Sequence, residues 1–481
     1  MLRCSSCINY YLITTAIVVT TTATRSLTTV IAAYQPSFFN IAVISPASGR
    51  VTRSFQTTAV PSSTTVLSRR RSGIIRTGLS VSSSFSSTTT TRLFSSPTLS
   101  KLNGDEHDST SSMSNLKFID IGANLLDDRY IKGIYYDKQR HEPDLDLVIE
   151  RAINGGVTHL IITAGTLHES YKALQLVRNL RDKYKNTNNN NEGTVVEEEG
   201  KKQPIIQFGC TVGIHPTRCK QEFVDLNADV DISDDDDQEE DVQKKEKKPS
   251  SDVEVLQSLL DLAIDGLTDN SIYALGEFGL DYDRLEFCPK DIQKTYFQKQ
   301  LDIFDSNPNL HKLPLFLHNR SVGTDLLDIL KKKQQEQQGG NASSSSVRAP
   351  HYTGVVHSFD DTIELATEFI KLGFYIGING CSLKTDENLQ VVKDLPLDKI
   401  LLETDCPYCE IKNTHTSMKY VTTKFEPKKQ EKKYERGKMV KGRNEPNQII
   451  QIVEVIAGIK NVSVEEVATT CYENTCKLYG L

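Results

Sequence analysis

The stretch "KFIDIGAN", residues 117–124, is where the chain first becomes legible as a fold. A short run of aromatic and β-branched residues ends in alternating Asp120, Gly122 and Asn124. The segment "LDLVIERAINGGV" follows, with apolar residues at three- and four-residue spacing and a paired-glycine stop. Strand then helix is the unit, and it repeats. Further runs are "THLIITAG" (158–165), "IQFGCTVGIHP" (206–216), "IYALGEFGLD" (272–281), "LPLFLHNR" (313–320), "TGVVHSFD" (353–360), "GFYIGING" (373–380) and "KILLETDCPY" (399–408). Most are almost continuously apolar, as strands covered on both faces must be. Helical patterns separate them, of which "LQVVKDLPLD" is the weakest.

Alternation of this kind builds a parallel sheet, so the chain is α/β. Eight repeats predict a closed (β/α)8 TIM barrel over residues 115–481, a doubly wound sheet being the alternative. A barrel gathers its functional residues at the C-terminal strand ends. Asn124, His215, Glu277, His318, His357 and Asp405 all fall there. One buried histidine means little, but six polar residues at equivalent strand ends mean a site.

Side chains two apart on a strand share a face. Phe316, His318 and Arg320 point together, as do Val355, His357 and Phe359, and Leu401, Glu403 and Asp405. One mouth can therefore collect Glu277, His318, His357 and Asp405. Two imidazoles and two carboxylates suit a divalent cation, and a bridging carboxylate admits two ions.

The motifs "DIGANLLD", "GIHP" (213–216), "GEFGLDYDR" (276–284), "LHNR" (317–320), "HSFD" (357–360), "ETDCPY" (403–408) and "RNEP" (443–446) stand in one order. In that order the chain resembles the TatD-like deoxyribonucleases of the metal-dependent hydrolase superfamily, from about residue 117 to 480. Many relatives carry two histidines on the first strand, where this chain has Gly122 and Asn124. The resemblance is to the branch that reads Asp-Ile-Gly-x-Asn-Leu. It implies metal ligands Glu277, His318, His357 and Asp405, with one or two ions, Mg2+ first and Mn2+ or Zn2+ as alternatives. Catalysis would fall to Asp405, Glu277 and His215. Substrate phosphate would meet Arg320, Arg443, Asn124 and His215. His215 has two open roles, a phosphate contact or acid, and a structural bond ahead of Pro216. The implied activity is metal-dependent hydrolysis of phosphodiesters, as a 3′-to-5′ exonuclease on single-stranded or damaged DNA. The alternatives are a small amide or ester substrate, and a scaffold that only binds partners.

Cys406-Pro407-Tyr408-Cys409 is a C-x-x-C whose letters match a glutaredoxin site. Its position after an eighth strand, rather than opening a helix in a small βαβ domain, argues against redox catalysis or zinc. Its nearness to Asp405 leaves the site open to oxidation. The ten cysteines show no disulfide-framework spacing, which points to a reducing compartment.

Composition is uneven along the chain. Residues 1–104 hold nine Arg, one Lys and no acid, so the remainder carries a formal −17 against −7 for the whole. An acidic body excludes general nucleic-acid affinity by charge alone. The Ser/Thr-rich, Arg-bearing start reads as a disordered leader over 1–114 that addresses a plastid or mitochondrion. Without a genuine leader, the place would be cytoplasm or nucleus. No stretch is long enough to span a membrane. Low-complexity insertions near 186–203, 228–251, 334–349 and 412–442 are expected to be disordered. The last is basic, and a loop after the eighth strand would overhang the mouth and offer lysines to the DNA backbone.

Overall fold

The computed structural model describes residues 16–23, 26–35, 38–44, 51–54, 116–190, 206–226, 249–339, 352–426 and 428–481. Eight strands form one parallel sheet in sequence order. They are β1 Phe118–Ala123, β2 Val157–Ile162, β3 Gln207–Val212 and β4 Ile272–Asp281. β5 Leu315–Arg320, β6 Gly354–His357, β7 Phe374–Ile378 and β8 Ile400–Leu402 complete it. The expected (β/α)8 barrel is what the chain forms, with helices packed around the sheet. Among them are α1 Leu145–Asn154, α2 Leu167–Asn190, α3 Asp252–Thr268, α4 Lys290–Asp305 and α5 Asp325–Gly339. α6 Ile363–Lys371, α7 Asp386–Asp394, α8 Ile449–Lys460 and α9 Val464–Tyr479 follow.

Alternation along each strand divides the core in two. Ile119, Ile121, Ile161, Ala274, Phe316, Val355, Tyr375 and Leu401 fill the barrel interior, and Tyr472 and Tyr479 of α9 pack on that cluster. The other strand faces meet the helices in a larger apolar layer. Serine and threonine caps start several helices. Ser251 accepts from Glu254 N, Thr362 from Leu365 N, and Thr385 forms a capping box with Asn388.

Closure is the costly step, because β8 must meet β1 across almost the whole barrel sequence. The backbone contributes Asp405 N to Gly122 O at 2.8 Å and Asn124 N to Cys406 O at 2.9 Å. Asp120 adds a side-chain seam. Its Oδ1 accepts from Gly122 N at 3.2 Å and Thr404 N at 2.9 Å, and its Oδ2 from Thr404 Oγ1 at 2.5 Å. Asp120 and Thr404 are both fully buried. Asp120→Ala strands those donors, and should cost about 3 kcal/mol of stability in urea unfolding. A loss within about 0.5 kcal/mol, the scatter of ordinary surface changes, would show that the backbone closes the barrel unaided.

Three expectations need correction. Residues 412–442 are ordered, apart from Pro427, which lies outside the described residues. Four of their cations are tied down locally. Lys428 pairs with Glu410, Lys429 with Glu435, Lys438 with Glu426, and Arg436 with Glu142 and Asp146. Tyr434 stacks on His141 with ring centroids 4.2 Å apart. Second, the insertions near 186 and 334 begin as helix, since α2 runs to Asn190 and α5 to Gly339. Polar side chains do not stop a helix that is already nucleated. The remainder of those two, and residues 228–248, lie outside the described residues. Third, the leader carries four antiparallel strands, Ala16–Ala23, Ser26–Gln35, Phe38–Ile44 and Val51–Ser54, paired in sequence order. Their Thr, Val and Ile content suits strands, and composition alone concealed this.

Candidate metal and phosphodiester site

Strand geometry delivers Glu277 first. Gly276 has φ 142°, and a Cβ there would lie 2.2 Å from Phe316 O, so only glycine fits where β4 bulges against β5. The next residue is Glu277. Its Oε1 lies 2.8 Å from His318 Nδ1, 2.8 Å from His357 Nε2 and 3.4 Å from His215 Nε2. One carboxylate oxygen thus faces three imidazoles. Burial pushes Glu277 up, but the imidazoles of His357, His215 and His318 outweigh it and hold the carboxyl well below its usual range.

The far nitrogen of each ligand candidate meets a carboxylate. His318 Nε2 is 3.2 Å from Asp281 Oδ2, and His357 Nδ1 is 3.6 Å from Glu403 Oε2. Burial lowers both imidazoles, yet the bonds of His318 to Asp281 and Glu277 raise it. Glu277 and Glu403 raise His357 further. An outer carboxylate turns the inner nitrogen lone pair toward a cation, the arrangement that metal-binding histidines use. The donor set fits a divalent ion.

His215 is held differently. Thr217 N donates to its Nδ1 at 3.2 Å, at the start of a short 3-10 turn. A backbone N–H can only donate, so Nδ1 carries the lone pair. The proton of the neutral ring is then on Nε2, which faces Glu277 and, at 3.3 Å, His318 Nδ1. Burial first, and His318 second, press its pKa down to about 3, so it stays neutral. Distances alone would group His215 with Glu277 and His318 as a cation site. The tautomer makes it a hydrogen-bond donor at the rim of that site. The structural role read from the sequence is present, since Nδ1 caps the turn at Thr217, while Nε2 faces Glu277 and His318.

Asp405 completes the ring from β8. It sits at φ 50°, a left-handed conformation that non-glycine residues seldom adopt, as do Ser321 and Ser358 at the ends of β5 and β6. Asn124 Nδ2 donates to Asp405 Oδ1 at 2.8 Å, and Cys409 Sγ donates to Oδ2 at 3.2 Å. Burial beside Glu403 and Glu277, partly offset by His357, raises Asp405 to about 6.

The missing first-strand histidines now have an explanation. A Cβ on Gly122 would lie 3.0 Å from Glu403 Oε2. Glu403 is fully buried, and its Oε1 accepts from Ser358 N at 2.5 Å and Asn379 Nδ2 at 3.0 Å. Among the described residues its Oε2 has no hydrogen-bond partner within 3.5 Å, His357 Nδ1 lying at 3.6 Å. The space of a side chain at 122 is occupied by Glu403. Asn124 is likewise committed, since its Oδ1 accepts from Thr163 Oγ1 at 2.6 Å. It orients Asp405, a positioning role that the sequence reading did not give it.

Arg320 lies at the rim, 41% exposed, with Nε 3.0 Å from Asp283 Oδ2. Arg443 does not. It is completely buried, bonded to both oxygens of Asp144 at 2.7 Å and to Glu445 at 3.0 Å. It clamps α1 to the segment before α8 and cannot reach DNA. Sequence reading also missed Asp281, Glu403 and Asn379. "GLD" and "ETD" carried the first two in plain view, but nothing in the spacing said what faced them.

The family profile described as TatD related DNase matches residues 119–480. A protein of Schizosaccharomyces pombe named Deoxyribonuclease Tat-D is 34% identical over 368 residues, covering 76% of this chain and 96% of its own. Its namesake in Saccharomyces cerevisiae is 34% identical, covering 77% and 93%. The crystal structure of a TatD family hydrolase from Entamoeba histolytica superposes with a TM-score of 0.58 at 32% identity, over 76% of this chain and 99% of that one.

Proposed function

The chain belongs to the TatD related DNase family and is a metal-dependent hydrolase of phosphodiester bonds, and from that premise we propose a deoxyribonuclease that trims single-stranded DNA from the 3′ end. The observation that carries this reading is the convergence of three imidazoles on Glu277 Oε1, with each cation-facing histidine backed by a carboxylate. Glu277, His318, His357 and Asp405 would hold the ion. A divalent cation there supplies Lewis acidity to a phosphate oxygen and to the attacking water. The family resemblance favours Mg2+, while the imidazoles add weight to Mn2+ or Zn2+.

The chain's own groups do the rest. Asp405, raised toward neutral pH by burial and neighbouring carboxylates, orients the water and takes its proton. His215 Nε2–H donates to a phosphate oxygen or to the departing 3′ oxygen. Arg320 adds charge at the rim as the phosphate becomes more anionic. Two exposed rings stand on the loops after β4 and β8, Phe287 at 57% and Tyr408 at 52%. Arg129 lies over the Tyr408 ring at 4.4 Å. Unpaired bases stack on such surfaces, which favours a single strand. The acid-free stretch 1–104 supports an organellar address.

End-labelled single- and double-stranded oligonucleotides, with Mg2+, Mn2+ or EDTA, test the reading. Stepwise shortening from the 3′ end that EDTA abolishes is expected. Shortening that survives EDTA, or amide hydrolysis in place of it, sinks the proposal. In the same assay Arg320→Ala should raise KM about tenfold, with a smaller fall in kcat, since a charged hydrogen bond at the rim serves mainly capture. An unchanged KM would remove Arg320 from the phosphate path.

A further inference from the structure

The C-x-x-C of the sequence is not a thiol pair. Cys406 is fully buried, close to Asp120, Thr404 and Tyr130. Cys409 turns the other way and meets Cys381, 28 residues earlier, with sulfurs 2.7 Å apart. Both are partly exposed. Cys409 Sγ also donates to Asp405 Oδ2 at 3.2 Å, so the pair is one hydrogen bond from the hydrolytic centre.

The backbone holds this pair rigidly. Cys381 follows β7 and Cys409 follows β8. Gly380 lies so close to the second loop that a Cβ there would be 1.9 Å from Cys409 O. Cys381 N donates to Asn379 Oδ1 at 2.8 Å, and the Asn379 amide donates to Glu403 Oε1 at 3.0 Å and Ser358 Oγ at 2.9 Å. Asp405 and Cys409 both take left-handed backbone conformations, at φ 50° and 51°. The thiols are therefore neighbours by construction, and a bond between them at about 2.05 Å requires a shift of under about 1 Å.

We propose that Cys381 and Cys409 form a reversible oxidation site, in which a hydroperoxide converts the two thiols to a disulfide and thereby disables the Asp405 ligand. Cys381 attacks first, because the Cys409 proton is committed to Asp405. Its sulfur takes the distal peroxide oxygen, the O–O bond breaks, and the leaving oxygen departs as water or alcohol with the thiol proton. The Cys409 sulfur then attacks the sulfenic sulfur. An S–S bond forms, the S–O bond breaks, and the hydroxyl leaves as water with the Cys409 proton. Two electrons pass from the thiol pair to the peroxide. Asp405 Oδ2 then faces a sulfur lone pair where it had an S–H donor. The carboxylate loses its orientation, and cation affinity and turnover fall together. A dithiol reductant reverses the step.

The effect on turnover rests on the proposed nuclease reading; the cross-link and the cation affinity do not. Full-length protein loaded with Mg2+ would be treated with hydrogen peroxide, digested without reductant and mapped by mass. Mn2+ affinity by calorimetry and nuclease turnover would be measured before and after. A Cys381–Cys409 peptide pair is expected, with about tenfold loss of both affinity and turnover, restored by dithiothreitol. Cys381→Ser should match the reduced wild type and lose the reversible inactivation. Absence of the cross-link once both thiols are consumed would overturn the proposal. So would cross-linked protein with unchanged Mn2+ affinity, or equal reversible loss in Cys381→Ser. Were the reduced protein to lack nuclease activity, the cross-link and Mn2+ measurements would still decide the matter.

Discussion

Glu277→Gln should lower phosphodiester turnover by roughly 10^3-fold or more while the barrel stays folded. The substitution keeps shape and removes one charge. That charge is what His318 Nδ1 and His357 Nε2 face at 2.8 Å, and what His215 Nε2 faces at 3.4 Å. Without it, three imidazoles face a neutral amide, and the cation loses the carboxylate nearest to all of them. His318→Ala and His357→Ala should fall by similar orders of magnitude, since each deletes a nitrogen ligand and leaves Asp281 or Glu403 without its imidazole. Asp405→Asn should follow the same course by removing the proton acceptor. Turnover at saturating Mg2+ and Mn2+, Mn2+ affinity, and the circular-dichroism melt separate lost chemistry from lost fold. A purified His318→Ala/His357→Ala protein with wild-type turnover would show that the reaction happens elsewhere.

Arg443→Ala should act on stability and not on DNA. Removing the guanidinium leaves Asp144 buried without its two 2.7 Å partners and takes one of the cations that face Glu445. Arg151 still holds Glu445, with Nε at 2.6 Å, so the loss is partial there. Breaking a buried pair by deleting one member costs about 3–5 kcal/mol, because the remaining charge has no water to return to. Urea unfolding should show that loss. Arg443→Lys should recover only part of it, since an ammonium cannot bridge both Asp144 oxygens. The slope of log binding constant against log salt should be unchanged in either variant. A slope lower by about one would mean that Arg443 neutralises a phosphate after all.

The barrel was legible because its evidence is local. Runs such as "IYALGEFGLD" and "LPLFLHNR" state their own period, and a parallel strand buried on both faces has few other sequences open to it. The ligand candidates were legible for the same reason. His318, His357 and Asp405 lie at or near strand ends, Glu277 sits at a bulge within β4, and a barrel sends its C-terminal strand ends to one mouth. Nothing further was needed to place them together.

What the sequence could not state was which atom of each residue faces which neighbour. The lone pair on His215 Nδ1 depends on the Thr217 N–H, and so on a backbone turn. The role of Glu403 depends on the empty side-chain position at Gly122, across the seam where β8 closes on β1. "RNEP" reads as positive charge, yet Arg443 is sealed by Asp144, 299 positions away in sequence. The basic run after "ETDCPY" reads as a solvated loop, yet three of its lysines pair with Glu410, Glu426 and Glu435. Cys409 reads as the partner of Cys406, and the barrel gives it Cys381. Period and propensity act over a few residues, so the sequence by itself determined the strands and their order. Pairings between loops are fixed by closure of the sheet and by which charges lose their water, and only the tertiary structure decided those.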